Sequence, residues 1–235
     1  MGQIWTVCSG SGGVGKTSIA LCIASGAAKA GKNTILLDAS GISRSCDLVL
    51  GLESMLTLDM KDVLHQQVPM DAALYPVLRY PNLRLACSSL HDQTPVADLS
   101  GMILALHSMC DILVIDMPTG QFSLGRGMMR TGDKRLFITR PDDAAIRSTE
   151  RMMMHTADAA TNELIINRIS KDRIKHKTQY PQGTVESLLD MPALACIPED
   201  PSIPECESAA RTAMECSGPA KSALSTLIKA LLSCA

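Results

Sequence analysis

The chain has 235 residues, a formal net charge of -2, and 46% hydrophobic against 20% charged residues. That allows one large α/β core, and it argues against a generally basic nucleic-acid surface, so no nucleic-acid partner is expected. The N-terminus shows neither a basic region nor an apolar signal segment, and no run approaches the length of a membrane span, so a cytoplasmic, non-integral protein is expected.

Residues 3–7 read as a first strand, followed by Ser9-Gly10-Ser11-Gly12-Gly13-Val14-Gly15-Lys16-Thr17-Ser18 and then an Ala/Ile-rich helix over 16–29 that Gly31 stops. The pattern G-x-x-x-x-G-K-T between a strand and a helix is the context a phosphate-binding loop requires. Glycine permits the backbone dihedrals that turn successive N–H groups toward a polyphosphate. Lys16 supplies a point charge for the β/γ oxygens, Thr17 offers a hydroxyl to Mg²⁺, and the helix N-terminus adds its positive end. These residues predict a nucleoside triphosphate site.

A buried strand over 33–37 ends at Asp38, and a loop through Ser40, Gly41 and Arg44 leads to residues 47–51. Thr57 and Asp59 signal a short helix containing Val63 and Leu64, and residues 70–74 suggest another. Residues 82–87 read as a strand, 88–94 as a polar loop and 99–108 as a helix. The run 111–116 is apolar on both faces, as a central parallel strand is, and it ends at Asp116 before Pro118-Thr119-Gly120. Strands over 135–139, 164–167 and 193–197 alternate with helices over 142–159, from 185 to 189, and over 220–234. Met152, Met153 and Met154 are expected to fill core gaps. The basic stretch Lys171, Arg173, Lys175, His176 and Lys177 is expected to be a solvated loop.

Such alternation, without repeat or linker, predicts a single-domain P-loop α/β fold over 1–235, a doubly wound, mostly parallel sheet flanked by helices. Ligands of these folds bind at the carboxyl ends of the strands. Gly10 to Thr17, Asp38, Asp116 to Gly120 and Asn167-Arg168 should therefore share one edge. Asp116 is placed to hold Mg²⁺ together with Thr17, and the N–H of Gly120 could reach the γ-phosphate, making residues 117–120 a switch. Nine cysteines, an odd number with no C-x-C or C-x-x-C, suggest buried free thiols in a reducing compartment.

The segments around Gly10–Thr17, ILLDASGISRSCDLVLG, DILVIDMPTG, ITRPDDAAIR, LIINR and CIPED resemble, in order and spacing, the MinD-like septum-site proteins of the MinD/ParA family of deviant P-loop ATPases. The resemblance implies an ATP/ADP- and Mg²⁺-dependent homodimer that positions a regulatory protein partner at the cell envelope, peripheral to the membrane, and is reset by hydrolysis. It implies that Gly10, Ser11, Gly12, Gly13, Val14, Gly15, Lys16, Thr17, Ser18 and Gly120 surround the phosphates. It likewise implies that Lys16 and Asp38 serve catalysis, and that Asn167, Arg168, Pro198, Glu199 and Asp200 surround the adenine. By chemistry alone Asn167 serves equally as a strand cap.

Two departures fall at the site. Where the family pattern has a lysine reaching the partner subunit's nucleotide, this chain has Ser11. Where it has a second acid two residues after the Asp38 position, this chain has Ser40. Serine neither neutralises phosphate nor holds water as a carboxylate does, so binding should survive better than hydrolysis. A non-hydrolysing ATP-binding scaffold is the alternative. A metal-cofactor carrier of the nitrogenase iron-protein type is disfavoured by the lack of paired cysteines, and a tyrosine-kinase relative by the lack of a terminal tyrosine cluster. The apolar face of 220–232 is expected to pack on the core and not to anchor a membrane.

Overall fold

The computed structural model describes residues 2–40, 45–88, 96–119, 128, 131–154, 156 and 160–233, with 96–98 described by backbone alone. Gly41, Arg44, Gly120, Cys234 and residues 89–94 of the expected polar loop lie outside the described residues. The strands are β1 (Gln3–Cys8), β2 (Thr34–Asp38), β3 (Leu74–Pro76), β4 (Leu83–Cys87), β5 (Ile112–Asp116), β6 (Lys134–Thr139), β7 (Thr161–Ile169) and β8 (Ala193–Pro198). They form one sheet in the order β3-β4-β2-β5-β1-β6-β7-β8. All pairings are parallel except β3 with β4.

The strands are apolar on both faces because both faces are covered. Trp5, Val7, Leu36, Val114, Leu136 and Ile165 join one core with residues of the helices Lys16–Lys29 and Ala220–Ser233. Ile4, Ile35, Leu37, Leu113, Ile115, Phe137 and Ile166 join a second with residues of the helices Val96–His107, Asp143–Met153 and Gln182–Leu189. Alternate residues of one strand thus feed opposite layers, as the period-two geometry of a strand demands. The C-terminal helix buries Ala220, Leu224, Leu227, Ile228 and Leu231. Ile228 packs so closely over Gly26 of the first helix that a Cβ there would overlap it, so this apolar face is spent on the core.

Some elements differ from expectation. The helix expected over 142–159 ends at Met153, where Thr156 folds back and donates to the Met153 carbonyl from its N–H at 3.1 Å and its hydroxyl at 2.7 Å. Met152 is buried, whereas Met154 is exposed. The basic stretch contains a helical turn, Lys171–Lys175, capped by the Ser170 hydroxyl, and none of its residues is buried. The strand β3 and the helix Ser202–Ser208 were not expected. Among the described residues, six cysteines carry free thiols, Cys8, Cys22, Cys46, Cys87, Cys110 and Cys196. Cys206 and Cys216 are instead joined as a disulfide, with Cα atoms 6.2 Å apart, which corrects the free-thiol expectation for that pair.

Candidate nucleotide site

Sheet register decides which residues meet. Strand β1 lies between β5 and β6, and β2 lies on the other side of β5. Val7 is level with Asp116, and Asp38 is level with Asp116. The two carboxylates therefore end neighbouring strands, beside the point where the glycine loop leaves β1. All three features stand at the carboxyl edge, where open α/β sheets bind ligands.

Within the loop, Gly13 and Gly15 have φ of 68° and 92°, dihedrals that a side chain would strain. Gly15 also lies against the Asn167 amide, and a Cβ would overlap it. The Asn167 Nδ2 group donates to the Val14 carbonyl at 2.7 Å, tying the end of β7 to the loop. Gly10 is pressed against the Ser148 backbone, and Gly12 faces Thr119. The Ser9 hydroxyl donates to the Ser11 carbonyl at 2.8 Å, while the Ser11 Oγ is buried without a hydrogen-bond partner among the described residues. Lys16 is 8% exposed, and its ammonium donates to the Thr119 hydroxyl at 2.9 Å. The structure thus gathers Gly10 through Ser18 around the N-terminus of the helix Lys16–Lys29.

The Thr17 hydroxyl donates to Asp116 Oδ2 at 2.6 Å. Asp116 Oδ1 is buried with no hydrogen-bond partner among the described residues. Burial, with Asp38 alongside, pushes the Asp116 carboxyl up to about 7 against the opposing pull of Lys16 and Thr17. A buried acceptor with an open valence next to a threonine hydroxyl fits a hard divalent cation such as Mg²⁺, which takes oxygen ligands. Thr17 and Asp116 are the residues that could hold it.

Asp38 is differently engaged. Its Oδ1 accepts the Ser40 N–H at 3.0 Å and the Ser40 hydroxyl at 2.5 Å. Its Oδ2 accepts the N–H groups of Ser45 at 3.4 Å and Cys46 at 3.2 Å. The carboxylate thus serves as an anchor for both ends of the 40–46 segment. Cys46 reaches the same spot, since ligand atoms of Asp38, Cys46 and Asp116 lie within 4.8 Å of one another. Burial, then the nearby Asp38 and Asp116 charges, push its thiol well above the usual range. No sequence signal marked Cys46.

Beyond the loop opens a cleft of about 210 Å³ lined by Gly15, Ser18, Asn167, Arg168, Pro198 and Glu199, with Asp200 and the helix Ser202–Ser208 completing its wall. The expected adenine-side residues therefore come together next to the phosphate loop. Arg168 takes the left-handed conformation, at φ 58°. The Asp200 carboxylate is taken up by Ser202 and by the Ala220 N–H at 3.0 Å, so it holds the backbone of its own neighbourhood. Glu199 pairs with Arg173 at 3.2 Å. Glu207, which sequence reasoning missed, is a further wall residue.

The ParA family model, whose description is NUBPL iron-transfer P-loop NTPase, matches residues 1–232. The septum site-determining protein MinD of Synechocystis sp. is 29% identical over 208 residues, 86% of this chain and 78% of the relative. MinD of Helicobacter pylori is 28% identical over 213 residues, 85% of this chain and 79% of that protein. The MinC:MinD cell division protein complex of Aquifex aeolicus superposes with a TM-score of 0.90 at 25% identity, covering 98% of this chain and 96% of that one. MinD of Pyrococcus horikoshii complexed with Mg-ADP shares the fold, with a TM-score of 0.86 at 22% identity and coverage of 98% and 96%.

Proposed function

The chain belongs to the ParA family of P-loop NTPases, in its MinD-like branch, and from that premise we propose that it binds Mg-ATP as a nucleotide-dependent positioning switch whose hydrolysis is slow. One observation carries the binding half: a glycine loop with Lys16 poised at Thr119, and Thr17 on an Asp116 whose other oxygen is open. On this reading the loop amides and Lys16 grip the polyphosphate. Thr17 and Asp116 hold the cation, which would supply charge neutralisation at the β/γ oxygens. The cleft at Asn167, Arg168, Pro198 and Glu199 takes the nucleoside.

The slow-hydrolysis half rests on Asp38. Its carboxylate is saturated by donors from its own segment, and Ser40 spends its hydroxyl on it. A residue already accepting four hydrogen bonds is poorly placed to take a proton from an attacking water. Ser11 carries no charge that could reach across to a partner's nucleotide. Gly120, outside the described residues, completes the switch layer in this proposal. The relatives are septum site-determining proteins, and the solved relative pairs MinD with MinC. A homodimer, a regulatory protein partner and a cytoplasmic location with peripheral contact at the envelope are accordingly proposed here. The iron transfer in the family description is not carried over, since the chain has no C-x-x-C.

Nucleotide binding measured beside steady-state phosphate release tests both halves. Tight Mg-ATP binding with turnover well below that of a MinD from the same assay supports the proposal. Equal turnover removes the slow-hydrolysis half, and absent binding removes both.

A further inference from the structure

The cleft that opens off the glycine loop has polar walls, and their partners can be followed one by one. The Asn167 amide is bound to the Val14 carbonyl. Asp200 is bound by Ser202 and Ala220. Glu199 is paired with Arg173 at the surface. Glu207 stands apart: its Oε1 is buried and has no hydrogen-bond partner among the described residues. Burial pushes the Glu207 carboxyl up, while the Ser18 hydroxyl and the Arg168 guanidinium favour its charged form.

Ser18 directly follows Thr17 on the first turn of the helix that closes the phosphate cradle. A carboxylate facing Ser18 therefore stands at the near end of the cleft, next to the phosphates. In a nucleoside triphosphate the group attached to the phosphates is the sugar. A carboxylate accepts hydrogen bonds and donates none when ionised, so beside a polyphosphate it is favourable only if the ligand brings it donors. A ribose has two adjacent hydroxyls, and a deoxyribose has one fewer.

We propose that Glu207 reads the ribose, accepting hydrogen bonds from its hydroxyls through the buried carboxylate, so that the site takes ribonucleotides in preference to deoxyribonucleotides. This rests on the nucleotide reading above and adds a specificity-determining residue to it. Sequence pattern gives no hint of the role, because Glu207 lies in the short helix Ser202–Ser208, far along the chain from the loop it faces.

The test is calorimetric titration of the full chain with ATP, 2′-deoxy-ATP and 3′-deoxy-ATP in the presence of Mg²⁺, for the wild type, Glu207→Gln and Glu207→Ala. Circular dichroism confirms that each variant is folded. The wild type should bind ATP at least about tenfold more tightly than one of the deoxy analogues, as loss of a hydrogen bond to a charged group predicts. Glu207→Gln, which keeps one acceptor, should retain part of that ratio, and Glu207→Ala should bring it near one. Equal wild-type affinities for all three nucleotides would overturn the ribose role while leaving ATP binding intact. So would a ratio that persists in Glu207→Ala. No binding of any nucleotide by the wild type would instead remove the nucleotide reading itself, and this inference with it.

Discussion

The phosphate-gripping side of the site and the segment that follows β2 are built from similar polar residues, yet they stand in opposite states. Around the glycine loop, valences are left open: among the described residues, neither Asp116 Oδ1 nor Ser11 Oγ has a hydrogen-bond partner. Around Asp38 every acceptor is occupied, by Ser40, Ser45 and Cys46. Open valences bind ligands, whereas saturated ones hold structure. The difference separates binding from turnover, although the two carboxylates sit level on adjacent strands.

That contrast can be broken from the binding side first. Lys16→Ala removes the ammonium and should weaken Mg-ATP binding about a hundredfold, at the upper end for a charged hydrogen bond, as read by calorimetry. Next in size is the effect of the open carboxyl itself. Because the Asp116 carboxyl is raised to about 7, the folded state holds its proton more tightly than the unfolded chain does. Its contribution to stability is complete below the ordinary carboxylate range and is lost as pH rises from there through about 7. Metal-free protein should therefore lose stability progressively between about pH 4.5 and 8 from this group. Asp116→Asn should flatten that part of the profile in denaturant melts, and it should also abolish the Mg²⁺ dependence of nucleotide binding.

The saturated side gives smaller effects. Ser40→Asp restores a second acid and should raise phosphate release by on the order of tenfold or more, within the range for a general base; an unchanged rate would mean that Asp38 and Ser40 do not limit turnover. Smallest is Ser40→Ala, which deletes the 2.5 Å hydroxyl bond to Asp38. It should cost about 1 kcal/mol of stability, with ATP affinity unchanged.

Much of this was legible in the chain because parallel strands buried on both faces are continuous apolar runs, and because a glycine loop followed by Lys-Thr has few other uses. The helix Lys16–Lys29 and the strand end at Asp116 fell where periodicity put them. What was not legible depends on tertiary neighbours. The helix Ser202–Ser208 starts after Pro201 and contains Pro204, so it lacks any apolar period. The three residues of β3 end in a proline on the sheet's edge, too short to leave a pattern. The saturation of Asp38, the arrival of Cys46 beside it and the placement of Glu207 in the cleft wall all follow from chain folding back on itself. Residue types and spacings alone do not encode them.

The most direct measurement is calorimetric titration of the wild-type chain and of Lys16→Ala with ATP and Mg²⁺, each followed by phosphate release on the same sample. One-site binding by the wild type, weakened about a hundredfold in Lys16→Ala, together with slow release, is the expected result. No heat of binding in the wild type, or binding that Lys16→Ala leaves unaltered, would contradict a phosphate grip at the glycine loop.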